Sequence, residues 1–173
     1  MESVRKYGTP PFKVAVIHGG PGAGGEMAPV ARELAPERGV LEPIQTATSL
    51  AGQVEELKAI LEMHGDPPLV LIGFSWGAWL SFIAAARHHD LVEKLILVGS
   101  GPFQETYVDT LRESRLERFT EKEKLAFDAI IERLSEPGTE DKDRLLARLG
   151  ALTRTSDSYD PIANHDEAFD DIG

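Results

Sequence analysis

The sequence contains no cysteine, which excludes disulfide frameworks, thiolate nucleophiles and cysteine-ligated zinc. It is also short of positive charge: 18 Lys and Arg stand against 29 Asp and Glu, a formal net charge of −11 at pH 7. A surface with that balance repels nucleic acid and anionic lipid, so neither is expected as a partner. Long apolar runs are missing as well. The N-terminal "MESVRKYGTPPFK" has no apolar core of signal-peptide length, and no run approaches the roughly 20 residues that a membrane span needs. Together these absences predict a cytoplasmic chain with no membrane segment.

What is present is enough for one sizeable core: 173 residues, 42% of them hydrophobic, with length alone favouring a single domain over two. From residue 12 to 103, short β-branched runs alternate with helical periodicity. That pattern predicts an α/β fold, a mostly parallel sheet with helices on both faces. Four strands are expected, at "FKVAVIH", "VLEPIQ", "LVLIG" and "KLILVG". Pro43 marks the second as an edge or irregular strand. Between the second and third, Leu50, Val54, Leu57, Ile60 and Leu61 recur at helical spacing. Thr48 or Ser49 would cap that helix, and Gly65 with Pro67 and Pro68 would end it.

Beyond residue 103 the character changes. Residues 104 to 153 hold no strand-like run and predict two or three amphipathic helices. Thr120 and Glu123 form a capping box before Leu125, Ile130, Ile131 and Leu134. A further helix is expected over 140–153, with Leu145, Leu146, Leu149 and Leu152 on one face. The last 19 residues carry six acids and no base, a composition poorly suited to a packed core. The chain therefore divides into a sheet-bearing portion, 1–103, and a helical segment with an acidic tail, 104–173.

Open α/β sheets place ligands at the carboxyl ends of their strands, and two glycine-rich turns fall there. In "GFSWG", Gly73 and Gly77 flank Ser75 in the G-x-S-x-G spacing, between a buried strand and a helix. That spacing holds a serine at a strained turn with its hydroxyl exposed, because bulky residues two positions away would clash. A serine that only caps the helix is the bland alternative. The other turn, "HGGPGAGGEM", lets backbone N–H groups approach a ligand closely, as an oxyanion hole requires, and Gly20 and Trp76 are the donor candidates. His18, Gly19, Pro21 and Gly22 shape this loop.

The same loop satisfies G-x-G-x-x-G through Gly20, Gly22 and Gly25, with Glu42 near the spacing of a ribose-binding acid. A dinucleotide-binding domain is thus an alternative, although Pro21 removes a backbone donor and the serine turn would be left unexplained. A phosphate-binding P-loop fails for want of a lysine after the last glycine. No cofactor and no metal is expected.

"HGGPG" near the first strand together with "GFSWG" later resembles the α/β-hydrolase fold family, in its proline-iminopeptidase-like branch. The resemblance covers about residues 12 to 103. It implies Ser75 as nucleophile, the Gly20 and Trp76 amides as oxyanion hole, and the helices after Phe103 as the start of a cap. The implied reaction is hydrolysis of a small-molecule ester or amide through an acyl-enzyme.

In this family the chain order is serine, acid, histidine, with the last two placed after two further strands. No such strands are expected beyond residue 103. His64, His88 and His89 fall in the last turns of predicted helices, where positive charge is favoured, and none is placed as a general base. Asp160 and His165 alone follow Ser75 in the right order, within a tail that lacks the rigid support a base requires. The catalytic triad is therefore expected to be incomplete, and the chain alone weak or inactive. A sheet ending on the fourth strand would leave an open edge. A homodimer, or a completing C-terminal polypeptide, is expected there. A non-catalytic interaction module on the same scaffold stays open.

Overall fold

The computed structural model describes residues 3–20 and 23–157. The chain divides into two compact units between Gly101 and Pro102. Among the described residues the first contains five strands and three α-helices. These are β1 (Val4–Tyr7), β2 (Phe12–Ile17), α1 (Ala28–Leu34), β3 (Gly39–Pro43), α2 (Leu50–His64), β4 (Leu69–Phe74), α3 (Trp76–Arg87) and β5 (Val92–Val98). The sheet order is β1-β3-β2-β4-β5. Only β1 runs antiparallel; the pairs β2 with β3, β2 with β4 and β4 with β5 are parallel.

Alternate residues of the strands feed two cores, as the period of two requires. On one face Ala15, Ile17, Leu41 and Leu71 pack against Val54, Leu57 and Leu61 of α2 and Leu80 and Ala84 of α3. On the other, Val14, Val16 and Val40 pack against Ala31 of α1 and the adjoining Met27. Ser49 caps α2 by accepting the Gly52 N–H at 3.1 Å, and Gly65 closes it by donating to the Leu61 carbonyl. Among the described residues β5 pairs only with β4, and its Ile96, Leu97 and Val98 are exposed.

Two expectations need correcting. The sheet has five strands, not four: "VRKY" is too short and too polar to register as a strand, yet it pairs with β3 from Val4↔Pro43 to Tyr7↔Val40. That pairing also moves β3 off the edge. All five β3 residues are buried, and Pro43 is tolerated because it is the last of them, with the next N–H, that of Ile44, donating to Ser3.

The second unit holds α4 (Val108–Arg118), α5 (Glu121–Ser135) and α6 (Lys142–Ser156). The Thr120 and Glu123 capping box is complete in both directions. The buried stripe of α5 matches the expected one only in part: Ile130 is buried as expected, but Phe127 joins it, while Leu125 is 74% exposed and Ile131 is exposed as well. Phe127 wins because it meets Phe119 at a ring separation of 5.7 Å. On α6, Leu145 is buried and Leu146 exposed.

Candidate active site

The site is built where β2 and β4 deliver their loops at the carboxyl edge of the sheet. β4 ends at Phe74 and α3 begins at Trp76, leaving Ser75 to turn the chain by itself. It does so at φ 52°, the one positive φ of a non-glycine residue among the described residues. A side chain in that region costs on the order of 1–3 kcal/mol, which the surrounding structure must enforce. The Ser75 N–H donates to the Val98 carbonyl at 2.9 Å and its carbonyl accepts from Ala78 at 3.1 Å. Its side chain makes no cap hydrogen bond to α3. The capping role is therefore not what holds the serine here.

The flanking glycines answer to backbone approach. A Cβ on Gly73 would run into the carbonyl of Gly77, and one on Gly77 into the carbonyls of Ile17 and His18. The first turn of α3 thus lies directly on the end of β2. This contact brings Gly20 and Trp76 into the wall of one cavity of about 290 Å³, which His18, Gln45, Thr46, Ala47 and Gln53 help to line. Among the described residues neither the Gly20 N–H nor the Trp76 N–H has an acceptor, and the space before the Gly20 Cα is open.

The loop after β2 is held by side chains that the sequence pattern did not single out. Ala23 donates to Gly20 and Glu26 to Ala23, and these turns bring the Glu26 carboxylate back to accept the Gly19 N–H at 2.9 Å. A methyl group on Gly19 would stand 2.8 Å from that carboxylate and 3.5 Å from the Ser75 Cβ. His18 is 3% exposed, and its Nε2 accepts the Gln45 N–H at 3.2 Å, which leaves the proton on Nδ1. Burial pushes its pKa below the ordinary 6.5, so it is a neutral strut between two loops. Pro21 and Gly22, like Asp160 and His165, lie outside the described residues.

The opposite wall is clamped from α2. Glu56 accepts from the Thr46 N–H, the Thr46 hydroxyl and the Ala47 N–H. Burial alone would raise this carboxyl, but those hydrogen bonds outweigh it and hold its pKa below the ordinary 4.5. Gln53 donates to the Ala47 carbonyl at 3.0 Å and accepts the Trp76 indole N–H at 2.8 Å. Trp79 meets Trp76 edge to face at 5.9 Å and donates to the Gly101 carbonyl. Gln53, Glu56 and Glu26 could not be found from the sequence, because each acts on backbone groups that only the fold brings within reach.

No histidine among the described residues is placed to serve Ser75. His64 ends α2, while His88 and His89 follow α3, rather than both lying within a helix as the sequence suggested. In a parallel sheet those helix ends sit at the opposite edge from the Ser75 turn, a strand length of roughly 20 Å away. Glu42, the acid that a dinucleotide site would need, is fully buried and accepts the Tyr7 hydroxyl at 2.7 Å. The described residues place α1 eight residues beyond Gly20, so the glycine loop does not open a helix as a pyrophosphate site requires. No group of three or more His, Asp or Glu is placed to hold a metal, and no helix is long and apolar enough to cross a membrane, among the described residues.

Residues 14–131 match the family model described as alpha/beta hydrolase fold. The chain belongs to the α/β-hydrolase fold family. Among solved structures, it is similar to a thioesterase domain from the curacin biosynthetic pathway, at 26% identity and TM-score 0.52 over 64% of this chain and 46% of that one. It is likewise similar to the epoxide hydrolase of Bacillus megaterium, at 16% identity and TM-score 0.55 over 90% and 62%. An esterase from Thermogutta terrifontis matches at 19% and 0.50 over 84% and 58%. This α/β-hydrolase chain thus spans less than two thirds of the length of each. No curated protein is significantly similar to it in sequence.

Two outcomes follow from this geometry. Gly77→Ala is expected to destabilise the fold by about 3 kcal/mol or more, read by denaturant unfolding, because backbone carbonyls cannot yield as a side chain can. The second concerns acid. Unfolded chains take up a proton on His18 near pH 6.5 and the folded chain does so only lower, so stability falls as pH drops below 6.5. Glu56 adds stability that is present above 4.5 and lost as pH falls further through its folded value. Thermal midpoints measured against pH should flatten in the upper limb for His18→Asn and in the lower limb for Glu56→Gln.

Proposed function

We propose that Ser75 is the nucleophile of a serine hydrolase acting on a small-molecule ester or amide. The observation that carries this reading is a serine held at φ 52° with no capping bond. It shares its edge of the sheet with two backbone N–H groups, those of Gly20 in the glycine loop and of Trp76 next in the chain, that have no acceptor among the described residues. Its Oγ attacks the substrate carbonyl carbon, and the Gly20 and Trp76 amides receive the charge that develops on the carbonyl oxygen. Collapse expels an alcohol or amine, which leaves with a proton, and water then cleaves the acyl-enzyme. The N-terminal turn of α3 points its dipole at the same oxygen. The similarity to a thioesterase domain and to an esterase supports this class of chemistry. The paired "HGGPG" and "GFSWG" motifs support the proline-iminopeptidase-like branch.

A base for Ser75 lies outside the described residues: either His165 with Asp160, or a polypeptide added at the β5 edge. Residues 1–103 form the catalytic core in this reading, and 104–173 the cap-like segment. A fluorophosphonate probe tests it. Slow labelling, abolished by Ser75→Ala, is expected, since oxyanion stabilisation without the base retains roughly 10³ to 10⁴-fold acceleration. No labelling would remove Ser75 as nucleophile, and rapid labelling would show that a base is already present.

A second reading, an interaction module, draws on β5, whose outer edge is unpaired among the described residues and whose Ile96, Leu97 and Val98 are exposed. Such an edge is a template for pairing with another chain. Light scattering after size exclusion should find a dimer that dissociates when Ile96→Lys is introduced. A monomer at all concentrations would remove the homodimer.

A further inference from the structure

Between them α5 and α6 hold a cavity of about 330 Å³, within the roughly 300–1,000 Å³ span of small-ligand pockets. Ala126, Ala129, Ile130 and Leu145 form its apolar wall, and Arg133, Arg144 and Arg148 bring three guanidinium groups to it. Asp141 is the one acid among the described residues that line it; Glu136 and Glu140 line the neighbouring hollow instead. Arg133 and Arg144 each donate to an oxygen of Asp141, at 3.1 and 2.6 Å. The Arg144 hydrogen bond holds the Asp141 pKa below the ordinary 3.8, so at neutral pH this carboxylate offsets one of the three positive charges. Arg148 has no ion pair or hydrogen bond among the described residues. Two positive charges are thus left over at one cavity, in a chain whose formal net charge is −11.

This arrangement runs against local helix chemistry at three points. Asp141 stands at the N-cap of α6, where its carboxylate would ordinarily accept N–H groups of the first turn. It makes no such bond and takes the two guanidinium groups instead. Lys142 and Arg144 outnumber Asp143 in that first turn, although a helix N-terminus favours negative charge. Arg144 and Arg148 are like charges four residues apart on one helix, which repel. An anion held among these arginines offsets the second and third conflicts, and it supplies the negative charge that Asp141 withholds from the first turn. Local rules broken together at one place are what a binding site leaves in a sequence.

The charge left over also points to the kind of anion. A carboxylate carries one negative charge, whereas a phosphate monoester carries about 1.5 to 2 at pH 7. The forked donors of arginine suit phosphate oxygens taken two at a time. We propose that this cavity binds a small phosphate monoester, its phosphate taken by Arg133, Arg144 and Arg148 and its apolar part lying against Ala126, Ala129, Ile130 and Leu145. The site is independent of the reading of Ser75.

Phenyl phosphate is the probe, titrated at neutral pH into the full chain labelled at its alanine methyl groups, with Ala126→Ser and Ala129→Ser assigning the two signals of interest. Both signals should shift saturably. Benzoate, with one charge, and inorganic phosphate, with no apolar part, should each bind about fivefold or more weakly. Arg148→Gln removes a cation that no described residue pairs with, so the chain should fold as before and bind phenyl phosphate about fivefold more weakly. Ala129→Glu, which puts a carboxylate at an exposed position in the cavity wall, should abolish binding. Arg112→Gln, in α4 and outside the lining, should bind as the parent chain does, and so should Ser75→Ala. Absence of a saturable shift, equal binding of benzoate or inorganic phosphate, or equal losses in Arg148→Gln and Arg112→Gln would overturn the proposal. A phosphotyrosine peptide that binds far more tightly than phenyl phosphate would overturn the assignment to a small molecule.

Discussion

The approach of α3 to the end of β2 is the constraint from which the site follows. Gly77 has no side chain, so the first turn of the helix rests on the carbonyls of Ile17 and His18. That contact goes with Ser75 making the whole turn from β4 at positive φ, with Trp76 and Gly20 lining one cavity, and with the α3 N-terminus following directly on Ser75. The strain at Ser75 persists because its neighbours on both sides are bound: its N–H to β5 through Val98 and its carbonyl to Ala78.

Around this contact, polar side chains act on loop backbone more than on each other. Glu26 takes the Gly19 N–H, His18 takes that of Gln45, and Glu56 takes those of Thr46 and Ala47. Each pairs a backbone group that would otherwise compete for ligand or water in a half-buried cleft. The loops are thereby shaped while the Gly20 and Trp76 amides stay open. In the proposed reading these two amides are the electrostatic part of the site, set before any substrate arrives, as oxyanion stabilisation requires. General-base chemistry is the part that the described residues do not bring to Ser75.

The fold class was legible in the sequence because its signals are local. The β-branched runs at "VAVI" and "LVLI", the α2 stripe from Val54 to Leu61 and the Thr120 capping box each depend on neighbours within a few residues. The strained turn at Ser75 was legible for the same reason, since the steric demand on Gly73 and Gly77 is a demand at fixed spacing. β1 escaped notice because "VRKY" has little apolar pattern of its own; it is a strand only because β3 offers a free edge. The stripe on α5 was displaced because Phe119, across a turn, rewards burial of Phe127 over Leu125.

By itself the sequence determined the order of strand, glycine loop and serine turn, and with it the family. The tertiary structure decided which backbone groups remain unused and what lies next to them. Glu26 is seven residues from Gly19, Gln53 is 23 from Trp76 and His18 is 27 from Gln45. No local period relates such pairs. They meet because the parallel strands β2, β3 and β4 all end at one edge of the sheet, and whatever follows each strand is delivered there.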